Sequence, residues 1–293
     1  MTEPGEEAAN ARSLGLALLD ASRIYEGFVI PKYEEFVVPG SEGRLRRRRF
    51  PPHRRTIIGL VARQRRFLRA AYTLADAGQV LEAVGPLRSM LEFLICQRWL
   101  AHDPDRNWKL FMADDHAGRD VRRERARQHV PTVYDAAAAS LTTEQRKEGE
   151  AIAAVRAQLA AELGDRRSDY RRSVEQRAKE VGMSFMYDAL YRYYSSAGPH
   201  PTLMAGDLLF EKHPKGLVLR GEPTAQFVSP PVYLHGASHL YEALQESGEL
   251  TPELSLPELP SIGHDLYALL KEWTNMRLPN WRELLPREVV DQI

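Results

Sequence analysis

Disulfide pairs, long apolar runs and net charge are all missing from this chain of 293 residues. Its single cysteine, Cys96, has no intramolecular partner and stands in the apolar run Met90 to Leu100, which predicts a buried, inert thiol and a reducing compartment. No stretch approaches the roughly 18 consecutive apolar residues of a membrane-spanning helix. The opening residues, Met1 to Glu7, show no basic segment followed by an apolar one, so no signal peptide and a cytoplasmic location are expected. Forty basic residues balance forty acidic ones, which removes any whole-molecule steering field and leaves the case for nucleic acid to the local distribution of charge. There is no glycine-rich phosphate loop, no dinucleotide fingerprint and no nucleophile elbow. No cofactor is expected.

Acidic residues are also absent from Gly43 to Ala75, where eleven arginines lie between Arg44 and Arg69. The densest part, Arg44 to Arg55, would neutralise phosphates if it met a polyanion, with salt-dependent affinity as the signature; a solvated connector is the plainer reading. A second basic face is expected on the helix that follows Trp108, where Arg119, Arg123 and Arg127 share one stripe. RNA or a protein partner is expected through Arg46–Arg49 or Arg119–Arg127, with no membrane contact and with a homodimer as the oligomeric expectation.

What the chain does contain is helix. Apolar residues recur at helical spacing over 11–21, 57–74, 80–102 and 262–273, and Ala-rich 150–163 is helical by propensity. In the segment 57–74, Arg63, Arg65, Arg66 and Arg69 are expected mainly on the wetter side. Gly78 interrupts, and Asp103-Pro104 ends a helix because proline disfavours helical geometry in the residue before it. Residues 1–10 read as a frayed tail, 131–139 are ambiguous, and 166–180 read as a connector or a solvent-facing helix start. Glycine and proline then become frequent over 205–235, where short strands at 208–210, 216–220 and 226–228 are expected before a helix over 235–246. A short helical turn is expected at 279–286. The fold class is therefore mainly all-α, a helical bundle with a small irregular or β-hairpin insertion near 205–232. Three parts are expected: an N-terminal helix and basic linker (1–50), a helical core (51–204), and an extended segment with C-terminal helices packed on the core (205–293).

Two polar sets stand out. Arg88 and Glu92 are one turn apart on a strongly apolar helix, where an inward-facing charge is costly unless it is paired; a surface ion pair is the bland alternative. Later, an aromatic-rich helix from Val181 carries Arg192 with Asp188 one turn before it, and it runs into a turn at Ser195-Ser196-Ala197-Gly198 that ends on His200 between two prolines. An arginine there could hold an anion and a histidine could move a proton near neutral pH, although Asp188 alone accounts for Arg192 as an ion pair. Neither metal candidate is complete. Asp114-Asp115-His116 lacks the helical repetition of a ligand set, and His235 with His239 lacks the glutamate of the zinc-protease motif. No metal is expected.

The two polar sets together resemble an uncharacterised family of all-helical bacterial proteins, a domain of unknown function. Its members carry an arginine-leucine-glutamate helix, matched by Leu87 to Glu92, and a tyrosine, arginine, serine and histidine-proline segment, matched by Tyr187 to Pro201. The resemblance covers about residues 55–245 and implies an all-helical fold with Arg88, Glu92, Arg192, Ser195 or Ser196, and His200 as site residues. The later segment is also distantly similar to the arginine-to-histidine signature of helical ribonucleases from toxin and antiviral systems, although the seven residues between Arg192 and His200 make a longer gap than in that signature. Two readings result. The first is a binding or interaction module; the alternative is a metal-independent ribonuclease-like component of a toxin or antiviral defence system, using Arg192 and His200 with Glu92, Arg88 and Ser196.

Overall fold

The structure, a computed structural model, describes residues 4–27, 51–143, 146–147, 150, 153–154, 157–158, 161–162, 171–197, 210–213, 216–219 and 229–277. The basic linker with Arg46–Arg49, His200, the strand expected at 226–228 and the turn expected at 279–286 lie outside the described residues.

The first half of the described chain comprises α1 (Pro4–Ala21), α2 (Ile24–Gly27), α3 (Pro52–Asp76), α4 (Val80–His102), α5 (Pro104–His129) and α6 (Pro131–Ala139). Described positions between 143 and 162 are helical as well. Then come α7 (Val174–Glu180), α8 (Ser184–Met186), a π-helical turn (Tyr187–Tyr191) and α9 (Arg192–Ala197). A two-stranded antiparallel hairpin comes next, β1 (Phe210–His213) and β2 (Gly216–Leu219), with Phe210 opposite Leu219. The described residues close with α10 (Ser229–Leu250), a 3₁₀ turn (Pro252–Leu254) and α11 (Leu259–Arg277). The protein is thus an all-α bundle with, among the described residues, one small hairpin, as the composition shift after residue 205 predicts. Among the described residues no helix is long and apolar enough to cross a membrane.

The bundle is built around α4. Val80, Ala83, Val84, Leu87, Met90, Leu91, Leu94, Ile95, Trp99 and Leu100 are all buried, so this helix is apolar around most of its circumference and belongs inside. It packs against α3, α10, α7 and α9. Each fully buried leucine or isoleucine contributes about 2 kcal/mol. Cys96 is buried among them, and burial pushes its thiol up to about 11 despite the nearby Arg177 guanidinium.

Helix ends obey local chemistry. Gly78 takes a positive φ of 79°, which a residue with a Cβ adopts at a cost. With that turn made, the Gln79 N–H reaches the Leu74 carbonyl at 2.8 Å and closes α3. Asp103 accepts from the Arg106 N–H at 3.3 Å and caps α5. Proline in a first turn sacrifices no hydrogen bond, so α5 begins at Pro104, ahead of Trp108. For the same reason α10 begins at Ser229, through Pro230 and Pro231, rather than near His235. Three further differences concern boundaries. Residues 4–10 belong to α1 and are not a frayed tail; 131–139 form α6; and α7 opens on a capping box in which Ser173 and Gln176 satisfy each other's N–H groups.

One arginine is placed differently from its sequence reading. Arg65 is buried, with 1% of its surface exposed, and does not share the wet face of α3. Its Nε donates to Ser22 Oγ at 2.7 Å and its Nη2 to the Leu19 carbonyl at 2.7 Å. These are groups at the C-terminal end of α1, where carbonyls lack intrahelical partners and a positive charge is favoured. The same helix crosses α3 closely at Gly15, where an added Cβ would enter the Tyr72 ring. Tyr72 in turn donates to the Tyr233 carbonyl at 2.8 Å, and Tyr233 Oη donates to Asp76 at 2.6 Å. Asp76 also takes both ends of Arg12, at 2.8 and 2.7 Å. These contacts fasten α1, α3 and α10 together beside the α4 core.

Candidate functional site

Arg88 and Glu92 lie on the side of α4 that meets the π-helical turn and α9. The two are half-buried, and they do not pair with each other. Instead Arg88 Nε donates to Ser195 Oγ at 2.9 Å and Arg88 Nη2 donates to the Tyr191 hydroxyl at 2.7 Å. The same hydroxyl donates to Glu92 Oε2 at 3.4 Å, a long contact. Tyr191 thereby bridges a cation and a carboxylate that do not neutralise each other directly. Burial and the Glu92 carboxylate push the Tyr191 phenol above its usual range, against the opposing influence of Arg88, so it serves as a neutral donor and acceptor.

The π-helical turn makes this possible. Its Tyr187 carbonyl accepts from the Arg192 N–H, one residue further on than in an α-helix, and each extra residue re-aims the downstream side chains by about 100°. Tyr187 and Tyr191 stack with ring centroids 5.0 Å apart and planes 18° from parallel. The Arg88 guanidinium lies 4.9 Å from the Tyr191 ring centre, and the Arg192 guanidinium 5.3 Å from that of Tyr187. The result is a ladder in the order Arg192, Tyr187, Tyr191, Arg88, in which each arginine gains from the negative ring face.

The residues singled out in the sequence therefore divide. Arg88 and Glu92 meet at Tyr191, and Ser195 joins them through Arg88. Arg192 is exposed, is bonded to Asp188 through Nε at 2.9 Å, and joins the set only through the ring stack. Ser196 turns back to its own helix, donating to the Arg192 carbonyl at 2.9 Å. The aromatic pattern alone assigns Tyr191 to packing; the signal that could have marked it is its position, one turn before Ser195 and one turn after Tyr187.

A family model matches residues 54–216, a little over half of the chain. The chain belongs to DUF5677, a family of unknown function. No curated protein and no solved structure matches it. The DUF5677 span takes in α3, α4 and the π-helical segment, and with them Arg88, Glu92, Tyr191 and Ser195. It stops before α10, which carries a second buried polar row.

That row begins with His235, whose Nδ1 is 2.7 Å from the Tyr194 hydroxyl, so the residue beside Ser195 ties α9 to α10. His239, one turn on, is 1% exposed, and neither of its ring nitrogens has a partner among the described residues. The two imidazoles are 6.5 Å apart. Burial lowers His235 to about 4; burial, then His235 and Arg98, lower His239 to about 3. Both are neutral at pH 7. Among the described residues, no three His, Cys, Asp or Glu side chains are grouped as metal ligands.

Proposed function

We propose that the protein is an RNA-binding module whose Arg88–Glu92 face takes a ribose-phosphate unit. The observation that carries the reading is that Arg88 and Glu92, one turn apart, leave each other unpaired and converge on Tyr191 Oη. A guanidinium held in place at two of its nitrogens offers the third to an anionic oxygen. A carboxylate beside it repels a bare anion but accepts from a hydroxyl next to the phosphate. Ribose supplies that hydroxyl, and deoxyribose lacks it. Surface charge supports the same partner. Arg55, Arg63 and Arg66 on α3, and Arg122, Arg125 and Arg127 on α5, are exposed without an ion pair among the described residues.

Fluorescence anisotropy with a short single-stranded RNA and its DNA counterpart tests this reading. Arg88→Ala is expected to weaken RNA binding by roughly 10–100-fold, the worth of a charge-assisted hydrogen bond lost at a partly desolvated site. Glu92→Gln is expected to narrow the preference for RNA over DNA. Equal affinity of wild type and Arg88→Ala would remove the site from the account.

The alternative, a metal-independent ribonuclease-like component of a toxin or antiviral defence system, draws on the ladder that joins Arg192 to Arg88 and on the position of Arg192 in the segment leading to His200. It predicts RNA cleavage that persists in EDTA and vanishes in both Arg192→Ala and His200→Ala. Cleavage retained by either variant would exclude that pair as the machinery.

A further inference from the structure

The C-terminal half of α10 meets α4 through an unbalanced charge set. Arg98 of α4 donates through Nη2 to Glu242 Oε2 at 2.8 Å and through Nε to Glu246 Oε1. The two carboxylates stand one turn apart on α10, with 21% and 19% of their side-chain surfaces exposed. One guanidinium thus faces two carboxylates. The second oxygen of Glu246, Oε2, is sealed from solvent and has no hydrogen-bond partner among the described residues. A shielded, unpartnered oxygen is far costlier as part of an anion than as part of a neutral acid.

The other groups facing the triad do not supply the missing charge. His239 lies on the same helix and stays neutral; Glu249, also on α10, adds negative potential at Glu246. Tyr267, from α11, is electrostatically coupled to Arg98 and Glu242, and burial pushes its phenol up, so it too is neutral. Tyr241, coupled to Glu242, behaves likewise.

We infer that the Glu242–Arg98–Glu246 triad holds one proton in the folded chain, so that the packing of the C-terminal half of α10 on α4 is a pH-sensitive latch. Burial raises both carboxyls above their ordinary range, Glu246 to about 7, with Arg98 opposing. A group whose folded value lies above its unfolded one, here 4.5, favours folding at low pH; that contribution fades as pH rises through the folded value. The latch is therefore tighter at pH 6 than at pH 8. It does not depend on the RNA reading.

Urea unfolding of wild type and Glu246→Gln, compared at several pH values between 5 and 8, provides the test. The comparison cancels the titrating groups outside the triad. The unfolding constant of wild type relative to Glu246→Gln is expected to rise by about tenfold per pH unit between pH 5 and 7 and to level off above. Parallel curves would overturn the inference. Should Glu246→Gln fail to fold, the carboxyl carbons of uniformly ¹³C-glutamate-labelled wild type decide instead. One carboxyl titrating near pH 7 supports the latch, and all of them titrating in the ordinary carboxylate range overturns it.

Discussion

Replacing Arg65 by alanine is expected to destabilise the fold by about 3 kcal/mol, as measured by the midpoint of urea unfolding. Three losses add to that figure. The Leu19 carbonyl at the end of α1 loses its donor in a place water cannot reach, Ser22 Oγ loses the Arg65 Nε–H, and a side chain that is 1% exposed leaves a hole. A buried polar group without a partner costs about 1–3 kcal/mol, and cavity formation adds to it. Arg65→Lys is expected to fall between, because one ammonium cannot reproduce the fork that serves two acceptors 2.7 Å from two different nitrogens. A loss below about 0.5 kcal/mol in the alanine variant, the range of an ordinary surface substitution, would show that α1 docks without this bond. Because α1 packs on α10 and α11 as well as on α3, the loss should appear as a shift of the whole transition.

The second large effect is acid destabilisation through the histidines of α10. In the unfolded chain His235 and His239 take up protons near 6.5, whereas in the fold burial holds them at about 4 and about 3. The unfolded state therefore gains two protons that the folded state refuses as pH falls below 6.5. The stability held by neutral histidines is complete above that value and drains away as pH drops toward 4. Each histidine contributes about 1.4 kcal/mol per pH unit in that window. Glu246 acts in the opposite direction between 4.5 and about 7, so one proton's worth of slope should remain in the wild type from these three groups. His239→Leu, which substitutes an apolar side chain for an imidazole with no hydrogen-bond partner among the described residues, should reduce the acid loss by about one proton relative to wild type; Glu246→Gln should increase it by about one. Wild type and His239→Leu unfolding with equal pH dependence would mean that His239 takes up its proton in the fold as readily as in the unfolded chain.

The bundle is more legible in the sequence than the site is. Long helices such as α3 and α4 declare themselves because apolar residues such as Leu87, Leu91 and Leu94 repeat at the helical period, and the stops at Gly78 and Asp103-Pro104 are local chemistry. The hairpin lies where glycine and proline become frequent. Arg65 is misplaced by its pattern because helical periodicity distinguishes faces by polarity, and an arginine reads as wet unless the carbonyls it serves are visible; those belong to α1, more than forty positions earlier. The π-helical turn has no composition of its own, which hides the re-aiming of Tyr191 toward Arg88, and with it the choice of Ser195 over Ser196 as the serine that meets Arg88. Arg88 and Glu92 are legible as a pair because spacing and apolar surroundings are both written in the chain. Their failure to bond with each other is not, since it depends on a tyrosine about a hundred positions away.

The central claim is that Arg88, braced by Ser195 and Tyr191, presents its free nitrogen to an RNA phosphate. The side-chain N–H spectrum of ¹⁵N-arginine-labelled protein, with the Arg88 signal assigned by its absence from Arg88→Lys, reads this directly. On titration with single-stranded RNA the Arg88 Nε–H signal is expected to move in step with binding and to saturate with it. Binding that shifts the signals of exposed arginines such as Arg122 and Arg125 while the Arg88 signal stays in place would contradict the account.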